Sequence, residues 1–154
     1  MRGLKIILVG RIRKGFRKEA FDHYLKKVKT STRVELVTVK DEKNGNIAWR
    51  LEKEGLGILE RTDPRDYALV LDEKGKSFTS KGFALELKRR EEDPGRVPCF
   101  ILGGAYGLSD SVRSRADLLL SLGPMTMPHE LAAVLLMEQI YRGQTIISGH
   151  PYHH

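Results

Sequence analysis

Apolar residues fall into two alternating rhythms along the chain: short unbroken runs bounded by glycine, proline or charge, and longer stretches with an apolar residue every third or fourth position. Leu4–Val9, Val97–Leu102 and residues 67–71 and 118–122 are of the first kind, the pattern of buried strands, and Val34–Val39 reads as a further strand. Phe16–Lys29 is of the second kind. Phe16, Ala20, Tyr24 and Val28, with Phe21 and Leu25 beside them, predict an amphipathic helix whose aromatics lie in the core and whose lysines face outward. Ile47, Leu51, Ile58 and Leu59 suggest a second helix, weakened by Gly55 and Gly57. Thr79 or Ser80 can cap a third that runs through Arg90, and Ser109 a short fourth. Residues 128–141 form a strongly apolar fifth, with Pro128 as its first residue. Five strands alternating with helices predict an α/β fold with a mainly parallel, doubly wound sheet, and connection rules alone predict no knot. The length fits one domain, residues 1–154.

Two of these runs point to a ligand site. Residues 99–102 and 118–122 are each followed by a glycine- and proline-rich loop, and in a parallel sheet such loops gather at the carboxyl edge where ligands bind. Gly103, Gly104 and Gly107 let backbone approach a ligand, while Pro124 and Pro128 stiffen the second loop. Leu71, at the end of the third run, is expected beside both loops.

Charge adds a second theme. The net charge is +7, and all of the excess is N-terminal: residues 1–77 hold 19 Lys and Arg against 12 Asp and Glu, residues 78–154 hold 8 against 8. Within residues 1–33 the balance is 11 to 2, with Arg11, Arg13, Lys14, Arg17 and Lys18 clustered after the first strand. Clustered cations gain affinity for nucleic acid by releasing its counterions, so nucleic acid is the favoured partner over a merely solvated face. No apolar run approaches the ~20 residues that span a bilayer, Met1 to Gly10 is too short for a signal peptide, and the lone Cys99 has no internal partner. A cytoplasmic protein is expected.

Familiar catalytic patterns do not occur. No G-x-G-x-x-G follows the first strand, and there is no P-loop, nucleophile elbow or Ser-His-Asp order. The five histidines, His23, His129, His150, His153 and His154, have no cysteine or carboxylate spacing that would make a metal site.

Taken together, Gly103-Gly104-Ala105-Tyr106-Gly107-Leu108-Ser109, Thr126-Met127-Pro128-His129, Tyr141-Arg142 and His150-Pro151-Tyr152-His153 resemble the ribosomal large subunit methyltransferase H family of the SPOUT superfamily, over essentially the whole chain. Small departures are Met127 where leucine is frequent, Gly143 where alanine is usual, and a final His154. The resemblance implies a C-terminal trefoil knot, a homodimer, and S-adenosyl-L-methionine held in the knot by Leu71, Gly104, Gly123, Pro124, Met125, Thr126, Met127 and Pro128, largely through backbone. It further implies methylation of N3 of a pseudouridine in helix 69 of large-subunit rRNA within the assembled 70S ribosome, without a metal. Losing the N3 proton calls for a base and for positioned charge. His129, Arg142, His150, Tyr152 and His153 are candidates; Arg142 and Tyr152 are favoured for positioning substrate and His153 as the base. The rival readings are a non-enzymatic basic RNA-binding or ribosome-associated protein, which cofactor binding would exclude, and a SPOUT enzyme with another RNA target.

Overall fold

Strand and helix alternate without exception in the computed structural model, which describes residues 3–154; the signal-peptide expectation falls partly on Met1 and Arg2, outside them. In order the elements are β1 (Leu4–Val9), α1 (Phe16–Lys29), β2 (Val34–Val39), α2 (Ile47–Glu60), β3 (Asp66–Ser77), α3 (Ser80–Glu92), β4 (Val97–Leu102), α4 (Asp110–Arg115), β5 (Leu118–Ser121) and α5 (His129–Ser148). The strands form one parallel sheet in the order β2-β1-β4-β3-β5. β1 is buried at all six positions, as a strand covered on both faces must be. Phe21 and Val28 of α1, Phe83 and Leu87 of α3, and Leu136, Met137 and Ile140 of α5 cover one face. Ile58 of α2 and Val112 of α4 cover the other, with Leu108. Each large apolar side chain buried this way contributes roughly 1.5–3 kcal/mol relative to exposure.

Inside the sheet lies one ion pair. Lys5 and Asp66 meet at 2.9 Å with side chains 10% and 6% exposed. Lys5 also donates to the Arg61 carbonyl, and Asp66 accepts from the Asp63 amide at 2.8 Å. Burial opposes the Lys5 charge, yet Asp66 outweighs it and holds the ammonium above its ordinary pKa. The neighbouring Cys99 thiol is pushed up to about 12, chiefly by burial, which leaves it unreactive.

Several boundaries differ from those the pattern predicts. The glycines of α2 do not interrupt it, because they are where the helix touches its neighbours. A Cβ on Gly57 would stand 2.7 Å from Val39 Cγ1, and one on Gly55 2.4 Å from Ser109 Oγ. β3 does not stop at Leu71: pairing with β5 breaks between Leu71 and Lys76, then resumes to Ser77. Where the excursion returns, a Cβ on Gly75 would lie 2.5 Å from the Leu119 carbonyl oxygen, so the close backbone approach requires glycine. β5 stops one residue early, at Ser121. Pro128 is the N-cap of α5, not its first residue, and the helix runs seven residues past Tyr141. It ends where Gly149 turns left-handed at φ 74° and the His150 amide bonds the Thr145 carbonyl at 2.9 Å. Phe16, expected in the core, is 71% exposed.

Candidate active site

The carboxyl edge of the sheet brings two of the expected ligand loops together through Glu73. Its side chain accepts from Thr126 Oγ1 at 3.2 Å and its carbonyl from Ser121 Oγ at 3.1 Å, which ties the β3 excursion to the loop after β5. Next to it, Asp72 pairs with Arg113 of α4 at 2.7 Å. The Lys74 amide and Arg113 hold the Asp72 carboxyl below its ordinary pKa despite burial. A cleft of about 240 Å³ opens where β3 and β5 end, between the start of α3 and the flank of α5; Ser77, Phe78, Ser121, Gly123 and Gln139 line it. Gly123 has φ 132° and nothing within 4 Å of where a Cβ would be, so its backbone faces open space.

The other expected cofactor residues are placed unequally. Leu71 packs partly against the main core beside this cleft. Pro124, Met125, Thr126 and Pro128 are exposed and Met127 half-buried, so that loop projects from the edge. Gly104 is buried, and its Cβ direction leads away from open space: it would meet Val9 Cγ1 at 3.3 Å and, behind it, Glu54 and Asp41. Burial raises the Glu54 pKa and the Asp41 carboxyl reinforces it, against the opposing Glu42 amide that donates to Glu54. Gly103 is structural, since a Cβ there would lie 2.5 Å from the Gly107 carbonyl oxygen.

All three residues singled out for catalysis converge. Arg142 of α5 sends Nε and Nη2 to Glu138 Oε1 at 3.0 and 2.6 Å. Tyr152 donates its hydroxyl to the same oxygen at 3.1 Å and stacks its ring 4.8 Å below the Arg142 guanidinium. His153 Nδ1 lies 3.2 Å from Arg142 Nη1. A guanidinium only donates, so Nδ1 must accept, and the ring's basic nitrogen is engaged by Arg142 in this arrangement. Burial, with Tyr24 and Glu138, pushes the Tyr152 hydroxyl up to about 12, keeping it a donor. Glu138 raises Arg142 above its ordinary value, so the cation is permanent. Through Gln139, which donates to Glu138 at 2.8 Å and accepts from Ser80 at 2.8 Å, the cluster reaches the wall of the cleft. His129 lines a small cavity with Arg11, Gly103 and Glu130; His150 is exposed beyond the helix. Among the described residues no group of three His, Cys, Asp or Glu could hold a metal.

Residues 2–153 match the family described as predicted SPOUT methyltransferase. The chain is 46% identical to the ribosomal RNA large subunit methyltransferase H of Solidesulfovibrio magneticus over 154 residues, 100% of both chains. It is 42% identical to that of Lawsonia intracellularis, over 99% of this chain and 98% of the relative. The chain belongs to this methyltransferase family. Its fold is shared by a probable methyltransferase from Bordetella pertussis (TM-score 0.58, 14% identity, 91% and 93% covered). A probable methylase family protein from Haemophilus influenzae is similar too (TM-score 0.54, 12% identity, 98% and 70% covered). At those identities the likeness concerns the fold alone.

For a member of the family, then, the resemblance carried by the four motifs is borne out along the whole chain. Sequence reasoning missed Glu138, on which the cluster is assembled, although its i, i+4 spacing to Arg142 is a signal that could have found it. Glu73 and Arg113 were missed as well. They lie 53 and 41 residues from the groups they hold, beyond any local pattern.

Proposed function

We propose that the chain methylates N3 of a pseudouridine in helix 69 of large-subunit rRNA, on the assembled 70S ribosome in the cytoplasm, using S-adenosyl-L-methionine. In this reading residues 1–154 are one domain, closed by a C-terminal trefoil knot, that works as a homodimer. The observation that carries it is the gathering of Arg142 and Tyr152 on Glu138, with His153 against Arg142, in a chain of an rRNA methyltransferase family.

S-adenosylmethionine supplies an electrophilic methyl group. Leu71, Gly104 and the segment from Gly123 through Pro124, Met125, Thr126 and Met127 to Pro128 hold it, chiefly by main-chain groups; the open backbone of Gly123 at the cleft fits that role. The new N3–C bond would form as the methyl's bond to the sulfonium sulfur breaks and S-adenosylhomocysteine leaves, while the N3 proton passes to a base. As charge develops on the flanking ring oxygens, the Arg142 cation and the Tyr152 hydroxyl stabilise it. His153 accepts the proton once substrate replaces it at Arg142, freeing Nδ1.

In this reading the tail of one subunit serves the cofactor loops of the other, since the tail lies beyond the C-terminal end of α5 while those loops lead into its N-terminal end. Exposed Leu131 (41%) and Leu135 (37%) on α5, with Met125 (80%), supply an apolar surface for that second copy.

Calorimetry with S-adenosylmethionine tests the enzyme reading: the wild-type protein binds and Gly123→Val weakens binding about tenfold or more, because valine at φ 132° forces the loop to shift. Absence of both heat and a thermal shift from the wild-type protein at saturating cofactor would count heavily against an enzyme. Mapping the methyl group on treated ribosomes identifies the nucleotide, and a product elsewhere would replace the target. A second expectation concerns the basic segment. Lys18 already pairs with Asp22 at 2.6 Å, whereas among the described residues no acidic side chain forms an ion pair with Arg11, Arg13 or Lys14, all three of which are exposed. Neutralising those three should weaken ribosome binding and flatten the dependence of log K on log salt by about 0.7–0.9 for each phosphate no longer neutralised. An unchanged slope would show that the segment is only solvated.

A further inference from the structure

Phe16 opens α1, directly after the loop that carries Arg11, Arg13 and Lys14 away from the carboxyl end of β1. A lone exposed apolar side chain is ordinary on a protein surface. What sets Phe16 apart is how its ring is held. The Arg17 guanidinium lies over the ring at 5.2 Å, and Arg17 is in turn fixed by an ion pair at 3.3 Å to Glu130, whose side chain is only 7% exposed. Glu130 also accepts the Arg13 backbone amide at 3.1 Å, which anchors the basic loop to the first turn of α5. At 71% exposure the ring remains open to solvent with Arg17 over it, and Arg11 of the adjoining basic loop shares one small cavity with Gly103, His129 and Glu130. The loop after β4, the strand paired to β1, presents a second exposed aromatic, Tyr106 at 58%.

We infer that Phe16, backed by Arg17, is a stacking platform for an unpaired base of the RNA that the basic loop engages. Aromatic faces held among cations are how proteins grip single-stranded nucleotides, since every base offers a π-face and the phosphates meet the charge. An unpaired RNA segment is the occupant that matches both halves of this surface, the exposed ring and the cations of Arg11, Arg13 and Lys14. The inference rests on the rRNA-methylating reading, and Phe16 acts in it as a positioning residue.

The test uses Phe16→Leu, which keeps apolar bulk without a π-face, and Phe16→Trp, which restores one. With ribosomes as substrate, Phe16→Leu should raise KM about tenfold with kcat and S-adenosylmethionine affinity unchanged, and Phe16→Trp should return KM to near the wild-type value. With a short single-stranded RNA containing one 2-aminopurine, wild type and Phe16→Trp should quench its fluorescence and Phe16→Leu should not. If the wild-type protein methylates ribosomes and Phe16→Leu matches it in KM and quenching, the platform is overturned and the enzymatic reading stands. If the wild-type protein neither binds S-adenosylmethionine nor methylates ribosomes while only the aromatic variants quench, the platform stands and the enzymatic reading falls.

Discussion

Ending the chain after Gly149 is expected to leave S-adenosylmethionine affinity within about twofold and to lower methyl transfer by at least a hundredfold, on the order of 3 kcal/mol of transition-state stabilisation. The deletion takes Tyr152 from Glu138 and His153 from Arg142, but none of the Glu73 tethers that shape the loops at the sheet edge. Interactions that matter only while the methyl group moves would disappear, and the ground-state hold on the cofactor would remain. Radiolabelled methyl incorporation into ribosomes, beside calorimetry, measures both. A wild-type rate from the truncated chain would make the tail structural. The same variant tests sharing between subunits. Mixed with Gly123→Val, it pairs intact loops on one subunit with an intact tail on the other. If the tail acts across the dimer, random mixing restores about a quarter of the wild-type rate, since half of the dimers are mixed and each carries one complete site. If it acts within its own subunit, the mixture shows no more activity than the two variants measured apart.

The largest expected loss of stability comes from Asp66→Ala. The substitution leaves the Lys5 ammonium buried with only the Arg61 carbonyl for company, and removes the acceptor of the Asp63 amide. Stranding one partner of a buried pair costs about 3–5 kcal/mol, a large share of the roughly 5–15 kcal/mol that holds a domain together. Urea unfolding should show it as a lower midpoint at constant slope. A change under about 1 kcal/mol would mean that water reaches Lys5. The pair also fixes a sign for alkaline pH. Lys5 titrates higher in the folded state than its ordinary value of 10.5, so its contribution is complete below that pH and drains away as pH rises through the folded value. Asp66→Ala should lose that alkaline dependence.

Strands were the most legible part of the chain. β1 and β4 coincide with their apolar runs because a strand between two helix layers has no polar face to blur its ends, and β2, a largely exposed edge strand, coincides as well. Errors arose where tertiary contact decides. Gly55 and Gly57 read as helix breakers in one dimension, and in three they are small enough for α2 to lie against Val39 and Ser109. Phe16 shares the spacing of core aromatics, yet it opens the helix at the sheet edge, where no second layer reaches it. The β3 excursion is invisible to periodicity because Glu73 and Gly75 take their meaning from β5 and the loop beyond it. For the site, Arg142, Tyr152 and His153 were identified by family likeness, while the carboxylate that assembles them was not.

The position of β1 in the sheet has a consequence for synthesis. Its partner on one side, β2, follows within thirty residues or so, but on the other side Lys5 pairs with Cys99, more than ninety residues later. At about 5–20 residues per second, a nascent chain holds the open edge of a strand that the finished fold buries throughout for roughly 5–20 s before β4 emerges to cover it. Long-range parallel pairing of this kind is intrinsically slow to form. The window in which this chain is most prone to aggregate therefore falls during translation, before β5 and the loop that follows it have been made.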